Sequence, residues 1–220
     1  GTTRGVTGGH GLSYPDFLDL EKNSTLFESF IIDKITGTTL SVGDRAERAT
    51  GGIVSANYFD ALGVRPILGR GFRPEEGTGR NAHPVTVISY LTWQDRYKGD
   101  PEIIGKTQYL NGVQHTIIGV APEKFHGTFI GYSFNFWVPT SMQETFDSTG
   151  YKLEDRGARW IESYAFLKPG RSRNGWRMII RRQTAGRALN FGRCGKRRST
   201  PSEICRLRWR SQPGSRFLFF

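Results

Sequence analysis

Residues 106–120 read Lys-Thr-Gln-Tyr-Leu-Asn-Gly-Val-Gln-His-Thr-Ile-Ile-Gly-Val (KTQYLNGVQHTIIGV). Two strand-forming runs flank Asn111-Gly112, a pair favoured in two-residue type I′ turns because both central residues need positive φ. The stretch predicts an antiparallel hairpin of residues 106–110 with 113–120. A hairpin is marginal by itself and must be built into a larger sheet, so its neighbours decide the fold.

Just before it, VTVIS (85–89) is a β-branched run of buried-strand type. YLTWQDRYKG (90–99) then reads as a helix with Leu91, Trp93 and Tyr97 as its apolar positions and Gly99 as its stop. Beyond the hairpin, FNFWVPT (134–140) is a strand ending at Pro139, and RWIESYAFLKPG (159–170) alternates Trp160, Glu162, Tyr164 and Phe166 as a sheet strand would.

Toward the start of the chain, SYPDFLDLEKNSTLFESFIID (13–33) opens with Ser13, places Pro15 and Asp16 in a first turn and sets Phe17, Leu18 and Leu20 on one face. That is a helix N-terminus. A second short helical turn is expected around Leu26, Phe27 and Phe30. Residues 38–54 read as two strands around Gly43-Asp44. In ANYFDALGVRPILGRGF (56–72), Ser55 or Asn57 can cap a short helix with Tyr58, Phe59 and Leu62 inward, Gly63 ends it, and Val64 to Leu68 form a brief strand. PEEGTGRNAHP (74–84) is rich in turn formers and reads as a surface loop. The fold class is α+β, with short helices packed on mixed β-sheets.

The chain has 220 residues, of which 13 % are aromatic, enough for a sizeable core without disulfides. No run approaches the roughly 18 apolar residues of a membrane-spanning helix. The sequence starts without Met and without a leader, which suggests a fragment or a processed form. Net charge is +11, but its distribution matters more than its size. Residues 1–170 hold 17 Lys+Arg against 19 Asp+Glu, whereas 171–220 hold 14 against 1. Two units follow: a domain over 1–170 and a basic, Arg-rich tail over 171–220, expected to be disordered because it has too little apolar surface to offset its ordering entropy. Cys194 and Cys205 both lie in the tail. A cysteine-free domain fits an oxidising compartment.

Chemistry-bearing motifs are sparse. His10, His83, His115 and His126 stand apart with no cysteine in reach, against the three or four ligands that zinc requires. There is no Gly-x-Ser-x-Gly elbow. Gly69-Arg70-Gly71 lacks the Gly-Lys-Ser/Thr of a P-loop and the third glycine of a dinucleotide fingerprint, so its glycines are read as a sharp turn after a strand. Glu75-Glu76 and Glu154-Asp155, the nearest approach to paired catalytic carboxylates, are read as solvated loop acids. No catalytic, cofactor-binding or metal-ligating residue is assigned, and no cofactor is expected.

The ordered string of segments carries more information. LSYPDFLDL (12–20), SANYFDALGVRPILGRGF (55–72), HPVTVISYLTWQDRYKGDPEIIGKTQYLNGVQHTIIGVAPEKFHG (83–127), FWVP (136–139) and RWIESYAFLKPG (159–170) together resemble the MacB-like periplasmic core domain of FtsX-like ABC transporter permeases. The resemblance implies a non-catalytic extracytoplasmic domain, at the periplasmic face of the bacterial inner membrane, flanked in its full protein by membrane spans. It further implies partners: the rest of the permease, a separate ATP-binding subunit, a second permease copy and a periplasmic adaptor. In such systems ATP-driven closure moves the periplasmic domains, so the implied role is transmission of motion or substrate export.

The resemblance ends near Gly170, where the family would continue with an acidic, Ala/Gln-rich helix. The Arg-rich tail with Trp176, Phe191 and Trp209 can be read as a module for nucleic acid or anionic lipid, in which arginines bind phosphate and aromatics stack. Its mixture of Arg, Gly, Ser, Pro, Cys and Trp is also what out-of-frame reading of a GC-rich gene yields, and this is the favoured account. Under either, nucleic acid is expected to bind only non-specifically, through the tail. A weaker alternative is a secreted hydrolase with its site in the 74–84 loop.

Overall fold

The computed structural model describes residues 12–25, 27–42, 45–129, 131–147, 149–167 and 217–219. Helix α1 (Tyr14–Asn23) starts as expected: Ser13 Oγ accepts the Asp16 amide at 3.2 Å, Pro15 sits in the first turn, and Phe17 and Leu20 are buried. The helical turn expected around Phe27 and Phe30 is absent. Those residues begin β1 (Phe27–Val42), a strand of 16 residues. Its β-branched Ile31 and Ile32 pair along one edge and Ile35, Thr36, Thr38 and Thr39 along the other, which outweighs a local helical pattern of three apolar residues.

Strand β2 (Arg45–Val54) runs back antiparallel to β1, from Val42 opposite Arg45 to Asp33 opposite Val54. The expected turn at Gly43-Asp44 lies outside the described residues. Helix α2 (Tyr58–Ala61) follows and ends at Gly63 with φ +66°. Asn57 occupies its N-cap position, but neither candidate's side chain makes the capping bond. Ser55 Oγ instead accepts the Ile32 amide at 3.0 Å, and Asn57 Nδ2 donates to the Phe30 carbonyl at 2.9 Å, so both residues stitch α2 to β1. The strand expected from Val64 shrinks to β3 (Leu68–Gly69), followed by a 3-10 turn at Pro74–Gly77.

Strand β4 (Val85–Ile88) and α3 (Tyr90–Tyr97) form as expected, with Ser89 capping α3 and Lys98 and Gly99 in left-handed conformations at its end. Leu91 differs: it is 48 % exposed, and the helix seats Thr92 instead. The hairpin forms from β5 (Thr107–Leu110) and β6 (Val113–Val120), with φ +50° at Asn111 and +77° at Gly112, the type I′ signature. Strand β7 (Phe136–Pro139) ends at its proline, a second 3-10 segment spans Thr140–Phe146, and β8 is Glu162–Leu167. In β8 the expected alternation fails, since Ser163, Tyr164 and Ala165 are all buried. Of the expected disordered tail only Phe217–Phe219 are described, as β9; the rest lies outside the described residues.

The pairings form a circuit. β1 pairs with β2, β2 with β7, β7 with β4, β4 with β6, β6 with β5, and β5 with β1 again at Leu40 and Ser41. Both parallel and antiparallel pairs occur, and closure removes the exposed edges an open sheet would carry. β8 extends the sheet along the first half of β1, and β3 flanks β6. Aromatics fill the interior: Phe59, Phe125 and Trp137 lie with ring centroids 5.2–5.9 Å apart, a spacing at which edge and offset contacts add to apolar burial.

Candidate functional site

Gly69-Arg70-Gly71 is a close crossing of two strands. Arg70 donates its amide to the Ile118 carbonyl at 2.9 Å. A Cβ at Gly69 would collide with that same carbonyl, and one at Gly119 with the carbonyl of Arg70. Only glycine fits at either position. The arginine turns inward as well: Nη1 and Nη2 donate to Glu76 Oε2 and Oε1 at 2.8 and 2.7 Å, and Glu76 Oε2 also accepts the Arg73 amide at 2.7 Å. Burial pushes the Glu76 carboxyl upward, but the guanidinium and the amide outweigh it and hold the group below its ordinary range.

The 74–84 stretch is therefore only partly the solvated loop expected. Glu75 is exposed, but Glu76 is 6 % exposed and fully partnered, because Ser141 Oγ and Thr140 Oγ1 also grip the backbone carbonyls of Glu76 and Gly77 at 2.7 and 2.8 Å. With a fork-to-fork ion pair consuming both partners, the loop is a brace. Glu154 and Asp155 are exposed, as expected.

The polar centre of the domain is one that sequence reading missed. Asp33, at the middle of β1, is fully buried. Its Oδ2 accepts the Tyr58 hydroxyl at 3.1 Å and the Thr128 hydroxyl, so α2 and the segment between β6 and β7 converge on one carboxylate. Oδ1 has no hydrogen-bond partner among the described residues; it faces Gly52, where a Cβ would come within 3.1 Å of it, beside Phe134 and Trp137. Tyr164 of β8 completes the surroundings, and Glu162 lies opposite Asp33 in the strand pairing. Desolvation pushes the Asp33 carboxyl up to about 7, against the opposing pull of the two hydroxyl donors. The same burial raises the Tyr58 and Tyr164 phenols. An acid inside the apolar run FIIDKI (30–35) was the available signal.

Of the four histidines, His10 lies outside the described residues, His126 is exposed and His83 half-buried. His115 is fully buried on β6; its Nδ1 lies 2.9 Å from the Val113 carbonyl, and burial lowers its pKa. Among the described residues no three His, Cys, Asp or Glu side chains gather as metal ligands, and no helix is long and apolar enough to cross a membrane.

The fold of this mixed-strand barrel is shared with extracytoplasmic regions of ABC-type permeases. The periplasmic region of MacB from Actinobacillus actinomycetemcomitans superposes with a TM-score of 0.59 at 17 % identity, covering 75 % of this chain and 69 % of that one. The extracellular domain of the noncanonic ABC-type transporter YknZ from Gram-positive bacteria gives 0.54 at 18 % identity, covering 73 % and 75 %. A domain of a putative permease protein from Porphyromonas gingivalis gives 0.53 at 17 % identity, covering 74 % and 66 %. A search of curated proteins finds no match. The family model of the MacB-like periplasmic core domain matches residues 2–180, and the chain belongs to that family. It is thus an extracytoplasmic domain of a MacB/FtsX-like ABC transporter permease.

Proposed function

We propose that this domain does no chemistry of its own and couples ATP-driven movement of a membrane-embedded permease to periplasmic partners or to substrate export. The observation that carries this reading is the span of β1. At about 3.3 Å per residue its 16 residues extend for roughly 50 Å. It holds β8 at one end, β2 and β5 at the other, and α2 between them. A displacement applied at one end of such a strand arrives at the other, because the closed circuit allows little independent sliding. The partners this role requires are the remainder of the permease, an ATP-binding subunit, a second permease copy and a periplasmic adaptor, at the outer face of the bacterial inner membrane.

The test uses the complete permease with its ATP-binding subunit in proteoliposomes. Spin labels at exposed Val113 and Tyr132 on the two copies should change separation between nucleotide-free and ATP-trapped states. Unchanged distances in a preparation that still transports would overturn the coupling role.

A further inference from the structure

The closed circuit leaves β8 outside it. One edge of β8 pairs with β1 from Phe27 to Asp33, and no strand of the barrel lies on its other edge. Edge strands ordinarily protect themselves with lysine, proline or a bulge that discourages further pairing. From Ile161 to Phe166 the sequence is Ile-Glu-Ser-Tyr-Ala-Phe, without lysine or proline. Three successive residues, Ser163, Tyr164 and Ala165, are at most 4 % exposed, which means both faces of the strand are covered. This is the character of an interior strand placed at a rim. What lies beside it is a short uncharged segment of the same chain: β9 pairs antiparallel, with Phe217 opposite Phe166, Leu218 opposite Ala165 and Phe219 opposite Tyr164.

We propose that the outer edge of β8 is a strand-acceptor site for an extended, uncharged aromatic–aliphatic segment running antiparallel to it, and that residues 217–219 occupy it in cis. Backbone hydrogen bonds supply the affinity of such strand addition, and alternate side chains supply its selectivity. Three residue pairs hold the cis segment, so it is displaceable. A free strand must still compete with the tethered one, whose effective concentration is that of an intramolecular partner.

The experiment compares the full chain with its Leu218→Pro variant, which cannot donate a hydrogen bond at the centre of β9. The probe is a synthetic peptide of residues 215–220, Ser-Arg-Phe-Leu-Phe-Phe, with the same peptide carrying proline at its fourth position as control. Amide exchange in β8 should speed up at least tenfold in the variant. The probe should restore protection and shift the β8 amide resonances, with at least tenfold weaker binding to the unsubstituted chain. Leu218→Asp, which keeps the backbone donor, replaces the proline variant if that one loses its dispersed amide spectrum. Unchanged β8 protection in both variants, equal binding of probe and control peptides, or dimerisation through β8 in place of probe binding would each overturn the proposal.

Discussion

The Thr128 hydroxyl donates a hydrogen bond to Asp33 Oδ2, tying the segment between β6 and β7 to the middle of β1 at a fully buried carboxylate. Tyr58 donates to the same oxygen at 3.1 Å. Two donors favour the charged carboxylate; the apolar wall of Phe134 and Trp137 favours the acid, and burial wins.

Stability should therefore depend on pH through Asp33. Its folded pKa of about 7 lies above its ordinary value of 3.8, so the folded state binds the proton more tightly than the unfolded chain. The stabilisation is full below about pH 3.8 and is lost as pH rises through about 7, a swing on the order of 4 kcal/mol. The groups facing Asp33 are Tyr58 of α2 and Glu162 and Tyr164 of β8. Asp33→Asn removes the titration, so the stability difference between variant and parent, measured by urea unfolding, should grow in the variant's favour from pH 4 to 7 and then level. Parallel curves over that range would show that Asp33 does not titrate there.

His115 should act in the opposite direction. Burial lowers its pKa below 6.5, so the unfolded chain takes up the proton first. The stability it contributes is present above pH 6.5 and falls as pH drops below that value. In the Asp33→Asn background, where the opposing slope is gone, unfolding midpoints should decline on acidification from pH 6.5. An NMR titration placing the His115 midpoint at or above 6.5 would contradict this.

Gly112→Val should destabilise by about 1 kcal/mol or more through the backbone alone. Gly112 has φ +77°, and a Cβ added there would meet nothing within 4 Å, so the cost is expected from the backbone conformation. Asn111 adds a tertiary role to the turn: its Oδ1 accepts the Thr38 hydroxyl at 2.6 Å and the Thr39 amide at 3.1 Å, and its Nδ2 donates to the Thr145 carbonyl at 3.1 Å. Asn111→Gly keeps the turn and loses these three side-chain bonds, so it too should lower stability. Thermal unfolding of the two variants checks both statements.

Glu76→Gln should cost about 2 kcal/mol, as expected for charge-assisted hydrogen bonds lost at a buried acceptor. The loss should be larger at low salt than high only to a small degree, because Glu76 is shielded from solvent. Arg80 and Glu144, joined at 2.6 Å on the surface, give the contrast: Glu144→Gln should change stability little. Chemical denaturation of the two variants side by side would reveal an error if they proved equal.

Local physics was legible where it acts over a few residues. Asn111-Gly112 specified its turn because only positive φ closes a two-residue hairpin there, and Ser13 specified a helix start because its side chain reaches a free amide. The collinear segments likewise pointed to the family. What depended on partners distant in sequence was not legible. Phe27 and Phe30 look helical until β2 and β8 bind the two edges of β1, and Glu76 looks solvated until Arg70, Ser141 and Thr140 surround it. The sequence by itself determined the Asn111-Gly112 turn, the Ser13 cap and the kinship; the closed strand circuit and the pKa of Asp33 were decided only in the tertiary structure, because strand pairing and desolvation are properties of neighbours that the chain brings together from far apart.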